Sequence, residues 1–505
     1  MRYQQLKIYH GLCPQKKAPK PRYATLRTLY LPDSHGTEIL DAAALVLYFP
    51  NPETVTGDDV LELHVHGGSA TVKAVLSAIP KCIGEGHIRY AEPGEFTKRA
   101  FLNDRLDLAQ VEALSETLSA ETEQQRRAAV RGSSGSLGRT YEEWRLKLLQ
   151  ARAEMEALID FQEDQHFDES PTSLVSNVTD QVKAILKSIN IHELASERSE
   201  LLRNGIKVAL LGPPNAGKSS LMNLLVGREA SIVSGESGTT RDIIEANLDI
   251  RGYLCTFADT AGFRTLTETG RTDPNQPGAK IGAIEDEGIR RAKAKALQSD
   301  VIIVLASVEQ GPSGGFELCY DLETLKLAAD CQERMVVVNK RDAVSKQDLR
   351  ALVDAFRDTT LRQIPGLEDV QPVPISCKEA EAQIQSSDHQ ADPDPDPGGI
   401  RLVADRLVSS FQDMTSLPAT LQDLHGVTER QRQLLMQCRG GLEGYADTVG
   451  SVDGGYEEDG AGEVPDIDIT MAAEHLRYAA GCLGRITGRG EAGDVEEILG
   501  VIFEK

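Results

Sequence analysis

The chain has 505 residues, which predicts about three domains, and 40% of the residues are hydrophobic, enough for buried cores. Its formal net charge of −24 argues against a protein that coats nucleic acid without selectivity, so RNA contact would need a local basic patch. No apolar run approaches the length of a membrane span. Eight scattered cysteines without a Cys-x-x-Cys pair indicate neither a zinc site nor a disulfide framework and favour a reducing compartment.

In the first 203 residues, the predicted secondary structure changes near residue 104. Residues 1–103 alternate predicted strands and short helices, whereas residues 104–203 have a helical pattern. One apolar stripe repeats at intervals of four and three, which is typical of helix-bundle core: Trp144, Leu148, Ala151, Met155 and Leu158.

Two basic segments are candidates for RNA contact. Residues 1–32 carry seven Lys or Arg and no acid, and residues 126–152 carry a second group of cationic side chains. For the second segment, a solvated helix face is an equally good interpretation.

A glycine-rich loop follows the predicted buried strand at residues 207–211. Residues 212–220 read Gly-Pro-Pro-Asn-Ala-Gly-Lys-Ser-Ser and fit the pattern G-x-x-x-x-G-K-[ST], before a predicted amphipathic helix. Backbone N–H groups and the helix N-terminus in such a loop cradle phosphates. Lys218 is expected to reach the β- and γ-phosphates and Ser219 to hold Mg²⁺. The remaining nucleotide contacts of this loop are expected from Asn215, Ala216, Gly217 and Ser220.

Three further motifs follow in the order of a GTP site. The run Asp259-Thr260-Ala261-Gly262 follows a predicted strand, and its Asp would bind Mg²⁺ through water while Gly262 meets the γ-phosphate. In Asn339-Lys340-Arg341-Asp342, the Asp can accept both N–H groups of a guanine edge. The run Ser376-Cys377-Lys378 suits the loop that closes on the base. Four motifs, each after its own strand, predict an α/β, Ras-like P-loop G domain that is specific for guanine.

The predicted switch regions differ from those of the small Ras-like GTPases. Thr240, in the run at residues 238–242, is expected to be the second Mg²⁺ ligand. Phe263 follows the Asp-Thr-Ala-Gly run, where small Ras-like GTPases carry the Gln that orients water. Glu285 is the candidate for that role, although residue chemistry alone favours an ordinary helix-start acid by about two to one.

The segment at residues 89–103, Arg-Tyr-Ala-Glu-Pro-Gly-Glu-Phe-Thr-Lys-Arg-Ala-Phe-Leu-Asn, resembles the N-terminal domain of the TrmE/MnmE family of tRNA-modification GTPases. The runs at residues 21–24, 57–63 and 66–68 resemble it too, and the likeness covers nearly the whole chain. The resemblance implies four segments: an α+β folate-binding-like and dimerisation domain at 1–103, two halves of a helical domain at 104–203 and 414–505, and a G domain at 204–413 inserted between them. Acidic or Gly-rich inserts at 383–399 and 450–463 are expected to be unstructured.

The resemblance also implies a K⁺-activated GTPase whose two G domains dimerise across their switch regions. Asn215 matches the side-chain ligand of K⁺, and backbone ligands are implied at Ser234, Glu236 and Thr239. Glu285 aligns with the water-orienting glutamate of the family, which reverses the preference given above, although an insertion at 266–281 loosens that alignment.

Family members act with a GidA/MnmG-type flavoprotein that carries FAD. Together they install a carboxymethylaminomethyl-type group on C5 of the wobble uridine of tRNAs, with a 5-formyl-tetrahydrofolate-type folate as the one-carbon carrier. Glu62 and Arg105 match folate-binding positions, and Arg105 stands where many members have Lys. Without the family, an exposed strand residue and a salt-bridged helix-start residue would be the preferred interpretations. The inserts suggest a fungal, mitochondrial matrix member, with at most about fifteen residues of targeting sequence.

Compared with the family pattern, a Gly-rich first strand and a Phe-Cys-Ile-Gly-Lys tail are missing, so we expect the chain to be truncated at both ends. Cys482 does not replace the tail cysteine by alignment. Two functions therefore stay open: an active GTPase in wobble-uridine modification, or a GTP-binding scaffold for tRNA and flavoprotein that lacks modification competence. A ribosome-assembly GTPase of the Era type is disfavoured by the first hundred residues.

Overall fold

The computed structural model describes residues 4–32, 34, 36–82, 88–160, 171–233, 246–257, 296–311, 314–385, 396–450 and 468–489. The chain divides into two compact units. The first comprises Met1–Ser115, Gly132–Asn190 and Arg430–Lys505, and the second comprises Glu116–Arg131 and Ile191–Glu429. Of the helices in the described ranges, none is long and apolar enough to cross a membrane.

The first unit contains a three-stranded antiparallel sheet. Its strands are β1 (Thr25–Tyr30), β2 (Ile39–Phe49) and β3 (Val60–His64), in the order β1-β2-β3. Alternate residues of β2 are buried against helices α1 (Gln4–Leu12) and α2 (Ser69–Ala78). With α3 (Glu95–Leu102), these elements confirm the predicted mixture of strands and short helices, but the three strands follow one another and do not alternate with helices.

Long helices make up the rest of the first unit. They are α6 (Ser136–Asp160), α13 (Glu429–Gly450) and α14 (Ile469–Thr487). The unit also contains the first part of α4 (Leu108–Ser119) and of α7 (Pro171–Asn204), whose remaining residues belong to the second unit. Helix α6 packs along α14. All five residues of the predicted α6 stripe are buried, which confirms that stripe as core: Trp144, Leu148, Ala151, Met155 and Leu158.

The second unit is built on a mainly parallel sheet. Its strands are β4 (Ile206–Leu211), β5 (Ala230–Ile232), β6 (Ala246–Ile250), β7 (Tyr253–Phe257), β8 (Val301–Gln310), β9 (Phe316–Cys319), β10 (Glu333–Asn339) and β11 (Val373–Pro374). They lie in the order β11-β10-β8-β4-β7-β6-β5, and β9 pairs with β8. Strands β4, β7, β8, β10 and β11 run parallel, whereas β6 pairs antiparallel with both β5 and β7.

Buried clusters lie on both faces of this sheet, as is usual for parallel strands connected by helices. The helices of the unit are α5 (Glu123–Gly132), α8 (Lys218–Arg228), α9 (Leu322–Ala329), α10 (Lys346–Thr359), α11 (Cys377–Gln385) and α12 (Ile400–Thr415). The strands predicted before the four nucleotide motifs are β4, β7, β10 and β11, so those predictions are confirmed.

The expected irregular insert at 383–399 is shorter at both ends. Helix α11 continues through Gln385, and the N–H of Gly399 donates to the carbonyl oxygen of Asp396 at 3.1 Å, just before α12. Polar residues also occur at helix ends and helix caps. The composition of the segment therefore could not distinguish the end of α11 and the start of α12 from an irregular insert. The middle of that insert, and residues 451–463 of the other, lie outside the described residues.

Candidate functional site

The loop after β4 requires glycine at two positions. Gly212 has φ of 144°, and a Cβ there would lie 2.3 Å from the carbonyl oxygen of Leu305. Gly217 has φ of 95°, and a Cβ there would lie 2.1 Å from Nδ2 of Asn339. Both backbone conformations are open to glycine and strained for other residues. The glycine-rich loop is therefore packed tightly against β8 and against the end of β10.

Lys218 begins helix α8 and turns its side chain back onto this loop. Its Nζ donates to the carbonyl oxygens of Gly212 and Pro213, both at 2.8 Å, and burial lowers the pKa of Lys218. Asn215 is exposed in the left-handed conformation (φ of 60°), and Ser219 is exposed in the first turn of α8. The ammonium group thus lies inside the loop, with the two polar side chains accessible from outside.

Asn339 connects three loops through one buried side chain. Its Nδ2 donates to the carbonyl oxygen of Ala216 at 2.9 Å. Its Oδ1 accepts from the N–H of Lys340 at 2.8 Å and from that of Cys377 at 3.2 Å. Asn339 is 2% exposed, so water cannot reach its amide group. These three hydrogen bonds therefore satisfy polar atoms that would otherwise be buried without a partner. The structure therefore brings together the phosphate loop, the Asn339–Asp342 run and the Ser376–Lys378 run.

The carboxylate expected to select guanine is oriented by a neighbouring hydroxyl. Ser376 Oγ donates to Asp342 Oδ1 at 2.6 Å and accepts from the N–H of Glu379 at 3.0 Å. Arg341 holds the same two loops together, since its guanidinium bonds Glu379 Oε2 at 3.2 Å and the carbonyl oxygen of Pro374 at 3.4 Å. Lys378 is exposed at the start of α11.

An ion pair at the end of β8 was not predicted from the sequence. Lys340 Nζ lies 2.5 Å from Glu309 Oε1, which also accepts from Ser307 Oγ at 2.9 Å. The hydrogen bond from Lys340 lowers the pKa of Glu309. Glu309 lies 31 residues before Lys340, and only the parallel pairing of β8 with β10 brings the two together.

The switch predictions lie outside the described residues. They are Ser234, Glu236, Thr239, Thr240, Asp259, Thr260, Ala261, Gly262 and Glu285.

The two predicted folate residues belong to the first unit. Glu62 Oε2 lies 3.0 Å from His64 Nε2, and Arg105 Nε donates to the backbone oxygen of Thr54 at 2.9 Å. The contacts of the described residues do not join Glu62 to Arg105. Arg105 is exposed and Glu62 half-buried, so both side chains are within reach of a ligand.

A buried carboxylate of the same sheet orients His66, two residues past the end of β3, and sequence reasoning assigned this histidine no role. Asp41 accepts from the N–H of His66 at 2.8 Å and from His66 Nδ1 at 3.0 Å. Burial by itself raises the pKa of Asp41, but the bonds from His66 and from the N–H of Ala43 hold it below its usual value. The side chain of Asp41 is 1% exposed and that of His66 is 71% exposed. The spacing of Glu62, His64 and His66 at every second residue was the available signal in the sequence.

Comparison with known proteins gives two family matches. Residues 3–105 match the family model described as GTP-binding protein TrmE N-terminus, and residues 108–505 match that described as MnmE helical domain. A protein named tRNA modification GTPase MnmE from Parvibaculum lavamentivorans is 37% identical over 97% of this chain and 90% of its own length.

Two mitochondrial proteins are similar over comparable lengths. A Danio rerio protein named 5-taurinomethyluridine-[tRNA] synthase subunit GTPB3, mitochondrial, is 34% identical over 97% of this chain and 85% of its own length. A Schizosaccharomyces pombe protein named tRNA modification GTPase mss1, mitochondrial, is 36% identical over 96% of this chain and 87% of its own length.

Proposed function

Because the chain belongs to the MnmE/TrmE family of tRNA modification GTPases, we propose that it hydrolyses GTP to drive modification of the wobble uridine of tRNAs. The observation that carries the GTPase part is the meeting of three loops at Asn339. A phosphate-binding loop, an Asn-Lys-x-Asp run and a base-closing loop are three of the four motifs expected of a guanine nucleotide site, and they converge at one edge of the sheet.

We assign nucleotide recognition to these loops. Asp342 accepts the two N–H groups of the guanine edge, and Ser376 holds its carboxylate in position. Lys218 exchanges its two backbone carbonyl partners for phosphate oxygens when GTP binds. The proposed remaining contacts are Asn215, Ala216, Gly217, Ser219, Ser220, Asn339, Lys340 and Lys378, with Ser234, Thr239, Thr240 and the 259–262 run from the switches.

The cation sites are assigned to residues that suit oxygen-preferring ions. Ser219 would hold Mg²⁺ with Thr240, since its hydroxyl is exposed in the first turn of α8. Asn215 would hold K⁺ with backbone oxygens at Ser234, Glu236 and Thr239, because its amide is exposed at the tip of the loop. A bound monovalent cation supplies positive charge where charge develops between the phosphates. Glu285 orients the attacking water, and the N–H of Gly262 binds the γ-phosphate.

The modification step is assigned to partners and cofactors of the family. A GidA/MnmG-type flavoprotein supplies FAD, and a 5-formyl-tetrahydrofolate-type folate is held by Glu62 and Arg105. The product is a carboxymethylaminomethyl-type group on C5 of the uridine. We further propose a homodimer through the first domain, G domains that associate across their switches, and a location in the mitochondrial matrix. The similarity to proteins named mitochondrial supports that location.

The test compares GTP hydrolysis in KCl and NaCl at equal ionic strength. A positive charge at this place in other GTPases is worth roughly 10³ to 10⁵ in kcat, so we expect K⁺ to raise the rate at least about tenfold. Asn215→Ala should abolish the K⁺ effect, and Glu285→Ala should slow hydrolysis in both salts. Asn223→Ala is the matched control, because Asn223 is an exposed asparagine within α8. Equal, slow rates in both salts would contradict the mechanism and leave a GTP-gated scaffold.

A further inference from the structure

We propose that the loop joining α1 to β1 (residues 13–24, here called the basic loop) is a docking surface for the phosphate backbone of tRNA. The proposal rests on the tRNA function given above and adds the place where the RNA is held. Lys16, Lys17 and Lys20 are all exposed, and the described residues show no ion pair for any of them. In a chain of net charge −24, this loop is a local concentration of uncompensated positive charge.

Five of the seven Lys and Arg side chains at residues 126–152 form ion pairs within their own helices. Each of the cationic side chains in the following pairs has a carboxylate within 2.9 Å: Arg126 and Glu123, Arg127 and Glu123, Arg145 and Glu142, Lys147 and Glu143, Arg152 and Glu156. RNA phosphates would have to compete with these carboxylates. In the basic loop, the one ion pair is that of Arg22 with Glu53 at 3.2 Å, among the residues that the structure covers. The structure thus favours the basic loop over residues 126–152 as the RNA contact.

The backbone of the basic loop is fixed before any ligand arrives. The hydroxyl of the fully buried Tyr9 donates to the carbonyl oxygen of Lys17 at 3.0 Å, and Arg27 Nε donates to that hydroxyl at 2.7 Å. Farther along, the N–H of Arg22 donates to the carbonyl oxygen of Tyr48 at 2.8 Å. A loop held in this way loses little conformational entropy when its side chains bind a ligand.

An exposed aromatic ring beside the lysines favours RNA as the partner. The ring of Tyr23 is 61% exposed, and Lys20 Nζ lies 5.4 Å from its centroid. Unstacked RNA bases stack on exposed aromatic rings while neighbouring cations bind the phosphates. The combination of Lys16, Lys17, Lys20 and Tyr23 on a fixed loop matches both parts of that chemistry.

The experiment measures binding of a labelled full-length tRNA transcript by anisotropy, in 50–200 mM NaCl without nucleotide. Lys16→Gln/Lys17→Gln is compared with Arg126→Gln/Lys147→Gln, which removes the same charge from the ion-paired segment. The first pair should make the negative slope of log K against log salt shallower by about 1.4 to 1.8, since each phosphate contact contributes about 0.7 to 0.9 to its magnitude. The second pair should leave the slope unchanged. Tyr23→Leu should weaken binding at least about fivefold.

Equal slopes for both double variants would overturn the proposal. It would also be overturned if Lys16→Gln/Lys17→Gln weakened binding to anionic vesicles of phosphatidylcholine and cardiolipin but left the affinity for tRNA unchanged. All substituted side chains are exposed, and unchanged GTP hydrolysis and elution volume verify that the variants are folded. Because binding is measured without GTP or K⁺, its failure is distinguishable from a failure of the proposed GTPase mechanism.

Discussion

At the scale of single residues, the Ser376–Asp342 hydrogen bond is the contact we expect to matter most for nucleotide affinity. The 2.6 Å bond fixes a carboxylate that has to receive two N–H groups in a defined direction. Ser376→Ala should therefore weaken GDP binding about tenfold, because a hydrogen bond to a charged group contributes about 1.5 kcal/mol or more. Fluorescence titration with a labelled GDP measures the effect.

A matched control exists within the same unit. Ser345 Oγ donates to Asp348 Oδ2, also at 2.6 Å, where it caps helix α10 and is not hydrogen-bonded to Asp342 or Ser376. Ser345→Ala should lower stability by about 1 kcal/mol and leave the Kd for GDP unchanged. Loss of affinity in this control, or wild-type affinity in Ser376→Ala, would show that the hydroxyl does not act through Asp342.

The residues of the site differ in how far the sequence could reveal them. Asp342 and Ser376 were predicted because each lies in a short motif after a strand. Glu309 and Asp41 were missed because their partners lie 31 and 25 residues away and meet them only through tertiary structure. Short motifs identify residues that act within their own loop. Contacts between strands depend on the register in which the strands pair, and a short motif does not contain that information.

At the scale of elements, Arg203 at the end of α7 connects three segments of the second unit. Its Nε lies 2.7 Å from Glu116 Oε1, its guanidinium also bonds the carbonyl oxygen of Val427, and its own carbonyl oxygen accepts from Gln125 Nε2 at 2.9 Å. Arg203→Ala should speed hydrogen exchange at least about fivefold in peptides covering 116–131 and 418–427, through loss of about 1 kcal/mol of local stability.

Arg126→Ala provides the comparison for that prediction. Arg126 pairs with Glu123 within α5, and its side chain is 52% exposed, so solvent screens the pair. Exchange mass spectrometry should show little change in the same peptides. If both variants exchanged alike, α5 and the 418–427 segment would be held by other contacts and not by Arg203.

Helical periodicity predicted α6 and α7 but not their grouping with other elements. The sequence placed the start of the G domain at residue 204, whereas the compact second unit also includes residues 116–131 and 191–203. Apolar stripes show which face of a helix is buried and not which partner covers it. That boundary depends on tertiary bonds such as those of Arg203.

At the scale of the whole molecule, two buried histidines give stability a defined pH dependence. His192 is 8% exposed and His425 is 7% exposed. Burial lowers the pKa of His192 to about 4, and burial together with Arg131 and Arg198 does the same for His425. Nδ1 of His425 is buried without a hydrogen-bond partner in the described structure. Burial of both side chains, and the two arginines near His425, disfavour the charged form of these imidazoles.

These histidines should make the folded chain lose stability in weak acid. Unfolded histidine takes up a proton near pH 6.5, whereas the folded side chains stay neutral to about pH 4. Their contribution to the free energy of unfolding therefore falls as the pH falls between these values and levels off below. The loss is on the order of 3 kcal/mol per histidine. His425→Gln should reduce the fall in Tm between pH 7 and pH 4.5 by the share of one of the two histidines, while His10→Gln, at an exposed position on α1, should not change it. An unchanged acid slope in His425→Gln would mean that carboxylates, and not buried imidazoles, set the acid limit.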